Sequence, residues 1–169
     1  YIPESTKHAL EILKSEGHFL AICTGRLHAM GEGFMHELGF QNMVADGGNS
    51  LTLDGEFLGI KPLDTQACID VIEECERLGV VWAISFDDSR RRWTRYANYD
   101  ALVHDSYMET VVDPELDYRS IECFYKVYVI CSPEEEGRIA SLSKVPTARF
   151  SPYAVFVEPV DKGEGIKRC

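Results

Sequence analysis

The sequence predicts an α/β protein: a parallel sheet with flanking helices, into which an α+β domain is inserted. Three features predict it. Between Pro3 and Ala45 helix and strand signals alternate, and the strands among them are apolar runs without polar alternation. After Gly47-Gly48 the texture changes to short segments divided by turn residues such as Asp54-Gly55. This second series is rich in antiparallel signals and ends before a helix starts at Asp161, so residues 63–158 read as an insert between a first sheet segment, 1–62, and a returning one, 159–169.

Pro3 suits the first turn of a helix, and Ala9, Leu10, Ile12 and Leu13 give that helix an apolar face before Gly17 stops it. His18–Cys23 (HFLAIC) then reads as a parallel strand covered on both faces. Leu27–Leu38 reads as a helix closed by Gly39, and Asn42–Ala45 as a second short buried strand. Leu51–Ile60 reads as a hairpin around Asp54-Gly55, and Lys61-Pro62 marks the boundary. Beyond it a helix turns Ala67, Cys68, Val71, Ile72, Cys75 and Leu78 inward, and strands Val80–Phe86 and Arg91–Tyr96 flank Asp87-Asp88-Ser89. A helix is expected over Tyr99–Met108, a long strand over Ile121–Cys131, and a helix from Pro133 through Leu142. Strands near Val145–Phe150 and Tyr153–Glu158, divided by Ser151-Pro152, complete the insert.

The 169 residues carry 17 basic and 28 acidic side chains, a net charge of −11 that repels nucleic acid and anionic membrane surfaces. No run of 18 apolar residues is present, so no membrane-spanning helix is expected. Tyr1–Thr6 lack the basic start and apolar middle of a signal peptide, which leaves the cytoplasm as the expected compartment. The basic cluster Arg90-Arg91-Arg92 with Arg95, interleaved with Trp93 and Tyr96, reads as a solvated strand face, with contact to a small anionic substrate left open. Six cysteines show neither a C-x-x-C pair nor zinc spacing with the histidines, and read as reduced, mostly buried thiols rather than metal ligands. Cys68 and Cys75, seven apart on a helix, share its inner face.

In an open parallel sheet, ligands collect at the carboxyl ends of the strands. Thr24-Gly25-Arg26 falls at such an end: the Thr24 hydroxyl can donate to a phosphate oxygen, and Gly25 lets the backbone turn close to it. Arg26, inside the first helical turn, either faces the same anion, points to solvent or pairs with a carboxylate, and the triplet alone is equally the mark of an ordinary turn. Asp161-Lys162-Gly163-Glu164-Gly165-Ile166 opens a second helix after a strand, and Lys162 could neutralise the same anion. Thr24 and Lys162, on two sheet segments flanking an insert, point together to a phosphate site.

The ordered series Ile2-Pro3-Glu4-Ser5-Thr6-Lys7, Ala21-Ile22-Cys23-Thr24-Gly25-Arg26, Gly47-Gly48-Asn49-Ser50 with Asp54-Gly55, Lys61-Pro62-Leu63 and Asp161–Ile166 resembles the Cof-type branch (subclass IIB) of the haloacid dehalogenase (HAD) superfamily of phosphatases. The resemblance implies a Rossmann-like core in residues 1–62 and 159–169 and a C2B-type cap in residues 63–158. It also implies hydrolysis of a small phosphomonoester, with sugar phosphates the usual class. Thr24 matches the family's second motif and Lys162 its third; Gly25 and Arg26 would join them at the phosphate. Gly47-Gly48-Asn49 stand where many relatives carry Ser-Asn-Gly, so the asparagine that would face the substrate is displaced by one position, to Asn49 beside Gly48.

The family's first motif, D-x-D-G-T, which provides the nucleophile and the acid–base carboxylate, and its G-D-x-x-N-D segment, which holds Mg²⁺, are not in this chain. The resemblance therefore implies a Mg²⁺-dependent aspartyl-phosphate mechanism whose carboxylates lie elsewhere, and a chain inactive alone. The aromatics Trp82, Trp93, Tyr96 and Tyr99 would suit a small polar ligand under the cap or serve as cap core. A phosphomutase of the same superfamily and a non-catalytic phosphate-binding module remain as alternatives, and no oligomeric state follows from the sequence.

Overall fold

The computed structural model describes residues 2–159 and 161–169; Tyr1 and Val160, which the domain reading assigns to the two sheet segments, lie outside the described residues. Helix α1 (Glu4–Ser15) starts after Pro3 and gives way to Gly17 at φ +80°. Strand β1 (Ile22–Cys23) leads into α2 (His28–Glu37), after which Gly39 at φ +62° turns the chain into β2 (Met43–Ala45). β3 (Ser50–Leu53) and β4 (Glu56–Ile60) form the expected hairpin, with Asp54 at φ +51° and Gly55 at φ +81°, the left-handed pair that a two-residue turn requires. These four strands lie in the order β1-β2-β3-β4; β1 and β2 are parallel and the other pairs antiparallel.

The strand expected over His18–Cys23 shrinks to two residues, and neither is buried. β1 is a sheet edge that pairs with β2 alone, and α1 has no buried residue, so among the described residues one flank of the strand and the apolar face of the helix stay uncovered. Coverage comes to β2, whose Met43 and Ala45 pack with Met35, and to β3, whose Ser50, Leu51 and Thr52 are buried.

The second sheet contains six strands. Helix α3 (Thr65–Leu78) opens with the Asp64 carboxylate accepting from the Ala67 N–H at 2.8 Å and ends at Gly79, φ +70°. It buries Cys68, Val71, Ile72 and Cys75 against Trp82, Ile84, Val127 and Val129. Leu78, expected inside, is exposed, and Ala67 is half-buried. Burial pushes the thiols of Cys68 and Cys75 up to about 12, which keeps both protonated and inert. Among the described residues every cysteine is unpaired in a disulfide sense; Cys68, Cys75 and Cys131 are buried, whereas Cys23 and Cys169 are exposed.

β5 (Val81–Ser85) and β6 (Arg91–Thr94) follow, then α4 (Tyr99–Val103), which ends at His104 in the left-handed region, φ +57°. The helix expected through Met108 thus stops five residues early, and Glu109–Val112 becomes a strand, β7, parallel to β6. The long strand expected over Ile121–Cys131 is confined to β8 (Lys126–Ile130). Its first half is diverted to the entry of α3, where the Phe124 carbonyl accepts from the Leu63 N–H at 2.8 Å and the Glu122 carbonyl from the Thr65 hydroxyl at 3.0 Å. α5 (Pro133–Glu136), opened by a Ser132/Glu135 capping box, stops at Gly137 instead of reaching Leu142. Residues Ala140–Lys144 form a 3₁₀ turn tied to α3 by Ser141, whose N–H and hydroxyl both donate to Glu74.

β9 (Thr147–Ser151) and β10 (Ala154–Val157) complete the sheet in the order β7-β6-β5-β8-β10-β9, and α6 (Lys162–Ile166) follows. The basic cluster is not a solvated face at Arg92. Alternation along β6 turns Arg92 inward, where it is fully buried and donates to Asp105 at 2.7 Å and to Thr110 at 2.8 Å. Arg95 is likewise engaged, with Glu76 at 2.8 Å and the Leu116 carbonyl.

Candidate active site

Thr24 lies one residue past the end of β1. Its N–H donates to the Val44 carbonyl at 2.9 Å, prolonging the parallel pairing, and its hydroxyl oxygen accepts from the Arg26 N–H at 3.1 Å. The Arg26 carbonyl accepts from the Asp46 N–H at 2.8 Å, so the loop 24–26 is tied to the turn that follows β2. A phosphoryl oxygen at this loop would find a hydroxyl donor beside a helix entry.

The returning chain crosses that turn at glycines. A Cβ on Gly48, φ +116°, would sit 2.8 Å from the Asp161 carbonyl oxygen and 3.3 Å from the Lys162 Cα. A Cβ on Gly165 would sit 2.8 Å from the Gly48 carbonyl oxygen and 2.9 Å from its Cα. Only hydrogen at these two positions lets α6 lie directly on the turn. The consequence reaches Lys162, whose Cε lies 3.8 Å from where a Cβ on Gly25 would stand. Thr24, Gly25, Gly48 and Lys162, distant in sequence, are thereby brought to one place.

Arg26 and Asn49 have other surroundings. The Arg26 guanidinium lies over the rings of Phe34 at 5.4 Å and Tyr107 at 5.8 Å. The Asn49 amide donates to the Lys61 carbonyl at 2.8 Å while the Lys61 N–H donates to the Asn49 carbonyl at 3.0 Å, so Asn49 fastens the open end of the β3–β4 hairpin. It does not line the cavity described next.

A cavity of about 370 Å³ opens between Thr24–Leu27 and the second sheet. Lys126 of β8 crosses it: buried, it meets the Glu158 carboxylate and donates to the Gly25 carbonyl at 3.3 Å. Sequence reasoning passed over Lys126, although period-two alternation in Lys126-Val127-Tyr128 already sets it on the face of Tyr128, opposite the Val127 side. A second unforeseen tie is Asp88 in the β5–β6 turn. Its carboxylate accepts from the Ala29 N–H at 3.1 Å and meets the His28 ring at 2.8 Å, capping α2 from the other sheet. The aromatics expected near a ligand are elsewhere: Trp82, Trp93, Tyr96 and Tyr99 do not line this cavity, and Trp82 packs edge-on against Tyr96 and Tyr118. Trp82 on β5 and Tyr99 on α4 are turned fully into the core, and Trp93 and Tyr96 pack half-buried against it.

The carboxylates on the cavity wall are both neutralised, Asp105 by Arg92 and Glu158 by Lys126. Asp46, beneath the loop, has its carboxyl raised above the ordinary carboxylate range by burial, and Oδ2 accepts from the His28 N–H at 2.9 Å. Among the described residues no three His, Cys, Asp or Glu side chains come together to hold a metal ion. The donor set thus fits an oxyanion and does not fit Mg²⁺. No helix among the described residues is long and apolar enough to cross a membrane.

A family model for haloacid dehalogenase-like hydrolases matches residues 1–144. The chain is 22% identical to the Bacillus subtilis (strain 168) protein YkrA, whose own phosphatase activity is a proposed one, over 99% of this chain and 66% of that protein. It superposes on a protein of undetermined function from Geobacillus kaustophilus HTA426 with a TM-score of 0.79 at 25% identity, over 99% of this chain and 66% of that one. The HAD subclass IIB sugar phosphatase BT4131 shares the fold at a TM-score of 0.70 and 19% identity, over 98% and 66% of the two chains. The chain thus spans 66% of the length of each of these relatives.

Proposed function

The chain belongs to the haloacid dehalogenase-like hydrolases, and on that premise we propose that it is the cap and part of the core of a phosphomonoester hydrolase. The supporting observation is the meeting of the Lys162 side chain with Gly25, one residue from Thr24; Thr24 and Gly25 line the cavity, and Lys162 reaches Gly25 from outside that lining. In this reading residues 63–158 are the cap, and residues 1–62 and 159–169 belong to the core. The Thr24 hydroxyl donates to a phosphoryl oxygen, Gly25 lets that oxygen approach the backbone, and the Lys162 ammonium offsets the charge of nucleophile and transferring group. Arg26 adds positive charge at the rim, and Gly48 keeps the returning segment close. Asn49 acts indirectly, by holding the hairpin.

Phosphorus is attacked by a carboxylate that this chain does not contain, and water then hydrolyses the acyl phosphate. The Mg²⁺ on which such hydrolases rely would be held by the carboxylates of motifs that these 169 residues do not contain. The cap, tied down by Lys126 and Asp88, closes the cavity over the substrate and excludes bulk water. The substrate is a small phosphorylated metabolite, sugar phosphates being the class that the resemblance implies. A net charge of −11 speaks against a nucleic-acid partner, and the cytoplasm is the proposed compartment.

In a protein that carries this chain together with the carboxylate motifs, Thr24→Ala and Lys162→Ala should each lower kcat by about 10²-fold or more, the scale of losing one charge stabiliser. An unchanged rate for Lys162→Ala removes that residue from the mechanism. The 169-residue chain by itself should not turn over; Mg²⁺-dependent phosphatase activity in it, abolished by Thr24→Ala, would refute the placing of the nucleophile. A phosphomutase would transfer phosphate instead of releasing it. The pairing of Asp105 and Glu158 with cations favours a second reading for the isolated chain, a phosphate-binding module that phosphate stabilises without being consumed.

A further inference from the structure

The wall of the cavity opposite Thr24 is rich in aromatic surface and poor in free hydrogen-bonding groups. Arg92 is held by Asp105 and Thr110, Lys126 by Glu158 and the Gly25 carbonyl, and the Tyr128 hydroxyl lies 3.1 Å from the Ser85 hydroxyl. A polyol entering here would give up water at its hydroxyls and, apart from the Tyr107 hydroxyl, meet polar groups already engaged with one another, a poor exchange for a sugar.

Two rings that line the cavity are exposed although a folded chain gains by covering them: Phe150 is 52% and Tyr107 56% accessible. Phe150 stacks on Phe156 at 4.8 Å with 16° between the planes. Phe156 is in turn fixed by Tyr128 edge-on at 4.9 Å and by the Lys126 ammonium 5.7 Å from its centroid. On β10 Phe156 is paired with Ala148, while Phe150 falls at the register shift between the Arg149–Val155 and Ser151–Ala154 pairs, a bulge that leaves its ring over Phe156. Tyr107 lies under the Arg26 guanidinium, next to the loop that bears Thr24.

We infer that the group esterified to phosphate in the substrate is a flat aromatic or heteroaromatic ring that packs against Phe150 and Tyr107 rather than a sugar. The inference rests on the phosphatase reading, since Thr24 and Lys162 fix the phosphate end and the ring extends from there toward the Phe150–Phe156 stack. Ring-on-ring packing of this kind is specific for flatness and tolerant of chemical identity, so the cavity selects a class of substrate and not one compound.

The test is calorimetric titration of the 169-residue chain with four probes: inorganic phosphate, 1-naphthyl phosphate, 1-naphthol and glucose 6-phosphate. 1-Naphthyl phosphate should bind about tenfold more tightly than glucose 6-phosphate, about 1.4 kcal/mol. Phe150→Ala should remove most of that preference and leave the affinity for inorganic phosphate unchanged. Phe150→Leu, which keeps apolar volume but no flat face, should behave as the alanine variant does and guards against a folding defect. Glucose 6-phosphate binding as tightly as the naphthyl ester, or a naphthyl affinity indifferent to both substitutions, overturns the inference while phosphate binding leaves the phosphatase reading standing. Absence of phosphate binding, with Thr24→Ala indistinguishable from the parent, overturns the phosphatase reading; binding of 1-naphthol that depends on Phe150 would then still uphold the ring site.

Discussion

Gly165→Ala tests how Lys162 reaches the Thr24 loop. The added methyl would stand 2.5 Å from a Val44 methyl, 2.8 Å from the Gly48 carbonyl oxygen and 2.9 Å from its Cα, the last two being backbone atoms, so one side has to move by several tenths of an ångström. Overpacking of that kind costs about 1–3 kcal/mol. Gly48 cannot yield easily, because its turn joins β2 and β3 inside a paired sheet. α6 can: it has five residues, its Ile166 is exposed, and the long bond from the Arg168 guanidinium to the Gly48 carbonyl, 3.5 Å, is a weak tether. The helix should therefore lift away locally and take Lys162 with it.

Strain absorbed by the whole fold would lower Tm by about 2–4 °C per kcal/mol in a chain of this size, whereas local detachment should leave Tm within about 2 °C of the parent. Affinity for inorganic phosphate should fall about tenfold, equal to about 1.4 kcal/mol and to the effect of Lys162→Ala. Amide hydrogen exchange in residues 162–169 should rise to peptide-like rates while that of Met43–Ala45 stays slow. Phosphate affinity equal to the parent's, or a large cooperative fall in Tm, would refute this account of how Lys162 is positioned.

Two further predictions concern buried charge. Glu158→Gln leaves the Lys126 ammonium buried without its carboxylate and should cost about 3–5 kcal/mol in denaturant unfolding, whereas Lys126→Met with Glu158→Leu should recover most of the loss; a Glu158→Gln variant as stable as the parent would show the pair to be solvated. Burial raises the Asp46 carboxyl above its unfolded value of 3.8, although the Ser50 hydroxyl and the Lys126 charge pull it down. The contribution of its proton to stability is then fully present below pH 3.8 and is lost as pH rises through the folded pKa. Asp46→Asn keeps an acceptor for the His28 N–H and should be more stable than the parent at pH 7, with the difference closing near pH 4; a difference that does not vary with pH would refute it.

Much of the first sheet was legible, because its signals are local. Asp54-Gly55 encodes a left-handed turn, Gly39 ends a helix, and a three-residue strand without polar atoms has to be covered. The errors fall where a distant segment outbids the local pattern. Ile121–Tyr125 looks like strand, yet its carbonyls serve Leu63 and Thr65, some 60 residues away. Glu109–Val112 carries an ordinary strand composition, and only its pairing beside β6 makes it one. His18–Cys23 has the apolarity of a central strand, but with no neighbour on its outer flank among the described residues only two residues pair.

The site divides in the same way. By itself the sequence determined which residue types end the strand and open the last helix: a hydroxyl, a glycine and a lysine whose chemistry suits an oxyanion whatever surrounds them. That Lys162 lies against Gly25, that Arg92 is buried and not solvated, and that Lys126 and Asp88 fasten one sheet to the other were decided only by the tertiary structure. The physical reason is that chemical identity is a property of one residue, whereas burial and proximity are properties of pairs. Here the pairs are set by glycines at 48 and 165 that let two stretches of backbone touch, and by a lysine on β8 whose partners, Glu158 and Gly25, no periodicity along its own strand could name.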